Sequence, residues 1–185
     1  MNNDPGSILL TLARNAIAEK LGAAHLPNPE SSSHPALLER GAVFVTLTQN
    51  GDLRGCIGSL EAWRPLHEDV SANAVAAALR DPRFPPLSAD ELAKTRVEVS
   101  LLTPAQPMSF ASEADATAQL RPLIDGVILE YGKHRGTFLP QVWESLPEPG
   151  EFMAQLKRKA GLPPNFWSNE LKLSRYQVEK WKEPL

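Results

Sequence analysis

The stretch Ala42-Val43-Phe44-Val45-Thr46-Leu47-Thr48-Gln49-Asn50-Gly51-Asp52-Leu53-Arg54-Gly55-Cys56-Ile57-Gly58 decides how this chain is read. Its first seven residues are apolar and β-branched, as a strand requires. Gln49-Asn50-Gly51-Asp52 is a turn, because Asn-Gly accepts positive φ cheaply. The residues from Leu53 to Leu60 therefore form the returning arm of a hairpin over 42–60. Alternation along that arm puts Leu53, Gly55 and Ile57 on one face, and Arg54, Cys56 and Gly58 on the other. At about 6–7 Å, a guanidinium and a thiolate attract by roughly 2–3 kcal/mol at an effective dielectric near 20. Arg54 would then favour the thiolate, while desolvation would oppose it. Glycine inside a strand marks a bulge or a close approach to the backbone. The sparer alternative is a small, packed cysteine with glycines that only shape a bend.

Outward from the hairpin, periodicity supplies the other elements. Asp4-Pro5 opens a helix over 6–21 that Gly22 closes. Residues 25–35, with Ser31-Ser32-Ser33, read as a loop. A second helix covers 65–80 and is rich in alanine, which permits close packing. The segment Asp81-Pro82-Arg83-Phe84-Pro85-Pro86-Leu87 is a stiff loop. Strands follow at 96–103, 124–131 and 171–181, the last with a bulge expected near Arg175-Tyr176. Gly132–Gly136 is a hairpin loop, and short helices are expected near 111–122, 140–146 and 149–160. The fold class is α+β, a largely antiparallel sheet flanked by helices, with residues 1–185 as one domain.

Composition narrows the function classes. The chain has 185 residues, a net charge of −3 and one cysteine. That charge gives no general attraction to nucleic acid or acidic membrane. A single cysteine excludes an internal disulfide and suits a reducing, cytoplasmic setting. No apolar run approaches a membrane span, and no signal-peptide pattern is evident. The four histidines, His25, His34, His67 and His134, show no ligand spacing, so neither a metal nor a cofactor is expected. Lys157-Arg158-Lys159 reads as a solvated helix end favoured by the helix dipole.

The candidate site follows from strand faces. Glu98 and Ser100 lie on the polar face of strand 96–103. If that strand adjoins the cysteine strand, Arg54, Cys56, Glu98 and Ser100 line one patch, with Gly55 and Gly58 admitting a ligand. An exposed Arg54–Glu98 ion pair is the plainer alternative. Arg83, held between prolines, could clamp a small anionic ligand with its fork, or simply pair with Asp81 or a helix end.

The ordered blocks LRGCIG (53–58), DPRFPPL (81–87), VEVSLLTP (97–104), IDGVILE (124–130), GTFLPQV (136–142), KAGL (159–162) and SRYQVEKW (174–181) resemble the AMMECR domain family. Its prokaryotic members are called protein A of the AmmeMemoRadiSam system. The resemblance spans nearly the whole chain. It implies two unequal subdomains, the larger with both termini, and a cleft near LRGCIG. It also implies Memo-like and radical-SAM protein partners. On that footing the expected function is a redox or modification role, with Cys56 as nucleophile, Arg54 as electrostatic partner and Glu98 as acid/base or orienting group. A non-catalytic binding module for a small molecule or protein is the rival, and nucleic-acid binding ranks third.

Overall fold

A computed structural model describes residues 4–30 and 34–184; the predicted loop at Ser31–Ser33 lies outside the described residues. The chain divides into two compact units. One runs to Leu102 and resumes at Glu179; the other is Thr103–Val178.

In the first unit, helix α1 (Pro5–Leu21) begins where the Asp4 carboxylate accepts the Ser7 amide, and Pro5 needs no amide partner. It ends at Gly22, whose φ of 66° lets the Ala23 amide turn back to the Ala18 carbonyl. A short helix α2 (Pro35–Leu38) and strand β1 (Arg40–Gly41) follow. The hairpin is β2 (Val43–Gln49) and β3 (Asp52–Gly58), turning through Asn50 and Gly51, both at positive φ. Next come β4 (Arg64–Pro65), α3 (Leu66–Leu79), α4 (Ala89–Leu92) and β5 (Arg96–Leu102). Strand β1 pairs with β4.

Helices α1 and α3 cover the inner face of the hairpin sheet. Val43, Val45, Leu47, Val97 and Val99 point into this core and are fully buried, as are Leu9, Ala13, Ile17, Val70 and Ala74. Each buried valine, leucine or isoleucine here contributes about 1.5–3 kcal/mol, and each alanine about 0.8 kcal/mol. The alanines of α3 bring that helix close to the sheet, as expected.

The second unit contains β6 (Gln106–Pro107), α5 (Glu113–Gln119), β7 (Gly126–Tyr131), β8 (His134–Phe138), a 3-10 turn at Pro140–Glu144, α6 (Pro149–Lys159) and β9 (Lys172–Tyr176). Its sheet runs β6-β9-β7-β8, with every neighbouring pair antiparallel. Trp143 stacks on Phe152 with ring centroids 3.7 Å apart, and Phe138 meets the same ring edge-on. Helix α6 closes through Gly161, at φ 87°, with the Leu162 amide bonded to the Lys157 carbonyl.

Three expectations change. The segment 171–181 is two strands, not one bulged strand: β9 belongs to the second sheet, and β10 (Val178–Lys182) to the first, in the order β10-β5-β2-β3. The slip in alternation near Arg175-Tyr176 marks a strand that is about to change sheets. His134 is not in a loop but pairs with Tyr131 at the start of β8. Lys157 is not solvated: it is 1% exposed, with its ammonium against Glu113 and over the Trp167 ring. The α+β class with antiparallel sheets stands.

Candidate functional site

Strand β3 is the edge of the first sheet, and its register with β2 slips by one residue. Thr48 pairs with Leu53 and Leu47 with Gly55, so Arg54 is the extra residue of a β-bulge. Beyond the bulge, Cys56 faces Thr46 and Gly58 faces Phe44. On the other side of β2, Glu98 faces Thr46 and Ser100 faces Phe44. Cys56, Thr46 and Glu98 thus form one row across β3, β2 and β5, on the face opposite the helices. The Cys56 sulfur lies 3.4 Å from the Thr46 hydroxyl. The Glu98 carboxylate is 2.9 Å from Lys182 Nζ on β10. Cys56 and Glu98 are half-buried, and Ser100 is buried.

The outer edge of Cys56 is occupied by side chains. Its amide donates to Asp81 Oδ2 at 2.9 Å, and its carbonyl accepts from Arg83 Nη2 at 3.2 Å. Arg83 also donates from its amide, Nε and Nη2 to the Asp81 carboxylate, at 3.1, 3.0 and 2.7 Å. A carboxylate–guanidinium pair therefore takes the place of a further strand at this residue. The Arg83 hydrogen bonds hold the Asp81 carboxyl well below the usual carboxylate range, against the opposing effect of its burial, with help from the Cys56 amide. Asp81 raises Arg83 in return. Leu87, 2% exposed, anchors the loop, while Phe84 is half-buried beside the Arg83 guanidinium.

Several site expectations are corrected by this geometry. The bulge puts Arg54 out of alternation with Cys56. Its guanidinium forks onto Glu91 of α4, with Nε and Nη2 at 3.2 and 3.3 Å from the two oxygens. The Ser88 amide and then Arg54 pull the Glu91 carboxyl down to about 2. An Arg54–Glu98 pair is therefore replaced by Arg54–Glu91 and Lys182–Glu98. Strand β5 lies beside β2, not beside β3. The two strand glycines have packing reasons. A Cβ on Gly55 would stand 2.2 Å from the Ala77 carbonyl oxygen of α3, and one on Gly58 would stand 2.2 Å from the Phe44 ring. Arg83 does point at the 54–58 segment, but the anion that balances it is Asp81.

A family model described as AMMECR1 matches residues 10–181. The chain belongs to the AMMECR1 family. A protein of Methanothermobacter thermautotrophicus is 40% identical over 190 residues, covering 99% of this chain and 96% of its own. One from Thermofilum pendens is 36% identical over 199 residues, covering 99% and 92%. The crystal structure of uncharacterized protein PH0010 from Pyrococcus horikoshii matches with a TM-score of 0.78 at 36% identity, covering 96% of this chain and 91% of that one. This AMMECR1 member shares that α+β architecture.

Three side chains at the site escaped the sequence reading: Thr46, Glu91 and Lys182. Thr46 was legible in principle, since it shares the parity of Phe44 and faces away from Val45. Glu91 was not, because only the bulge turns Arg54 towards α4. In the sequence Asp81 shows only as an ion-pair partner for Arg83; its grip on the Cys56 amide needs the folded loop. Among the described residues no three His, Cys, Asp or Glu side chains cluster as a metal would need. No described helix is long and apolar enough to cross a membrane.

Proposed function

We propose that this AMMECR1 protein acts in the cytoplasm with Memo-like and radical-SAM partners, in a redox or modification pathway, through the polar face of its first sheet. Cys56 is the reacting group, Thr46 orients its sulfur, and Glu98 serves as acid/base or orienting group on the same row. One observation carries the reading: the only thiol of the chain is half-buried, hydrogen-bonded to the Thr46 hydroxyl, and in one row with a carboxylate on the far side of β2. Arg83 takes over the electrostatic role that the sequence assigned to Arg54, since its guanidinium touches the Cys56 carbonyl. The substrate class is a small molecule or side chain with an electrophilic centre.

A non-catalytic binding module is the second reading. It is favoured by the way both arginines are spent: Arg54 on Glu91 and Arg83 on Asp81. Alkylation by iodoacetamide across pH 6–10 separates the two. The thiol reading expects native Cys56 to react below about pH 9, at a rate that changes in Thr46→Val and Glu98→Gln while the melting temperature holds. A native protein inert below that pH, though reactive once unfolded, makes Cys56 a packing residue and leaves the binding module.

A further inference from the structure

The Cys56–Thr46–Glu98 row has a neighbour one step along the same face: Gly58 on β3, Phe44 on β2 and Ser100 on β5. Two residues along a strand span about 6.6 Å, and adjacent strands lie about 4.8 Å apart. A small molecule held over Cys56 therefore reaches the second row. Phe44 is the odd member of this face. Val43 and Val45 on either side of it fill the core, whereas Phe44 is half-buried and packs with neither apolar cluster. Among the described residues no aromatic ring or cation stands on it either.

Gly58 shows how the ring lies. A Cβ on that glycine would stand 2.2 Å from Phe44 Cγ, and 2.5 and 2.6 Å from Cδ1 and Cδ2. Near-equal distances to the two Cδ atoms, both longer than that to Cγ, put the Cβ position on a perpendicular to the ring. A face of the ring, not its edge, rests on the cysteine strand. Covering an edge glycine accounts for that first face. The second face has no aromatic, cationic or core partner. Ser100 is an independent sign on the other side of Phe44. It is only 8% exposed, and its hydroxyl has no hydrogen-bond partner among the described residues. Unlike Arg54 Nη1, it is not sealed from outside. Buried hydroxyls are bonded as a rule, so this one is a ready donor and acceptor for a ligand.

We propose that the Gly58–Phe44–Ser100 row is the subsite for a planar ring in the substrate of Cys56. The ring stacks on the second face of Phe44, a polar substituent bonds to the Ser100 hydroxyl, and the electrophilic carbon, a few bonds from the ring, sits over the thiol. One phenyl face and one hydroxyl are the footprint of a single substituted ring, and the row carries no charged side chain, so the substituent is neutral. This deepens the proposed function and rests on it, since it names the substrate class of the same thiol.

Alkylation of Cys56 by three maleimides tests the subsite: N-phenyl, N-cyclohexyl and N-(4-acetylphenyl). In each, the thiolate sulfur bonds to one alkene carbon and the other takes a proton. The rate on native protein is divided by the rate on the same protein unfolded in urea, which cancels intrinsic reactivity. The ratio should be at least fivefold higher for phenyl than for cyclohexyl, a saturated ring of the same size that cannot lie flat on an aromatic face. Phe44→Leu should bring the two ratios within twofold of each other, and Phe44→Tyr, which keeps the ring, should preserve the difference. The acetyl group should add at least threefold over phenyl, and Ser100→Ala should remove that gain while the phenyl preference stays. A reactive thiol with equal ratios for phenyl and cyclohexyl in wild type, or a preference that survives Phe44→Leu, overturns the stacking subsite and leaves the thiol reading standing. An acetyl gain that is absent, or that survives Ser100→Ala, overturns the role of Ser100. A native thiol inert to all three below about pH 9, yet reactive once unfolded, overturns the thiol reading and the subsite with it.

Discussion

Replacing Asp81 by asparagine tests the edge clip at Cys56. The carboxylate is 4% exposed and accepts from the Cys56 amide and from three donors of Arg83. Asparagine keeps the shape but offers one acceptor oxygen and turns an NH2 group towards a donor. At least one charge-assisted bond is lost, at about 1.5–3 kcal/mol. Breaking a fully buried ion pair costs about 3–5 kcal/mol. Here the Arg83 side chain is 54% exposed and can relax into water, so the lower range applies. A loss of about 2 kcal/mol lowers the melting temperature by roughly 4–8 °C in a chain of this size. The pH dependence has a definite sign. The folded carboxyl titrates below its unfolded value, so its stabilisation is complete above about pH 4 and fades as pH falls towards the depressed folded value. Circular-dichroism melts of wild type and Asp81→Asn should therefore differ by a constant amount between pH 7 and 5, and converge on acidification. Hydrogen exchange at the Cys56 amide should quicken in the variant. An unchanged melting temperature at pH 7, or a gap that persists undiminished at pH 2, would refute the clip.

Gly55→Ala should cost about 3 kcal/mol by urea titration, since its Cβ meets a helix carbonyl that cannot step aside, while Gly58→Ala should cost about 2 kcal/mol because the whole Phe44 side chain must shift. Arg54→Lys should lower stability by about 1 kcal/mol through the lost fork to Glu91, yet leave the alkylation rate of Cys56 within twofold of wild type. Lys157→Met should stay within about 1 kcal/mol of wild type in the same titration, because methionine fills the buried volume and the half-exposed Glu113 can hydrate.

The hairpin, the long helices α1, α3 and α6, and strands β5 and β7 were legible because each signal is local. An Asn-Gly turn, a proline after an N-cap, and period-2 or period-3.6 patterns act within a few residues of themselves. Thr46, Glu98 and Cys56 were each assignable to a face by the same parity. The division at Gln177 was not legible, because a strand that changes sheets and a strand that bulges leave the same break in alternation. Lys157 was misread because helix-dipole logic describes an isolated helix end, and here Trp167 and Glu113 cover it.

The sequence by itself determined the secondary elements, the antiparallel α+β class, the single thiol and the family. Those follow from short-range sterics and from block order along the chain. Only the tertiary structure decided the partners of the charged groups. One extra residue in β3 moved Arg54 to Glu91, and the fold of the proline loop gave Arg83 to Asp81 and both to Cys56. Strand order put Glu98 one strand further from the thiol, beside Lys182. A side chain's partner depends on register and on which elements pack together, and those are settled by contacts between residues tens of positions apart.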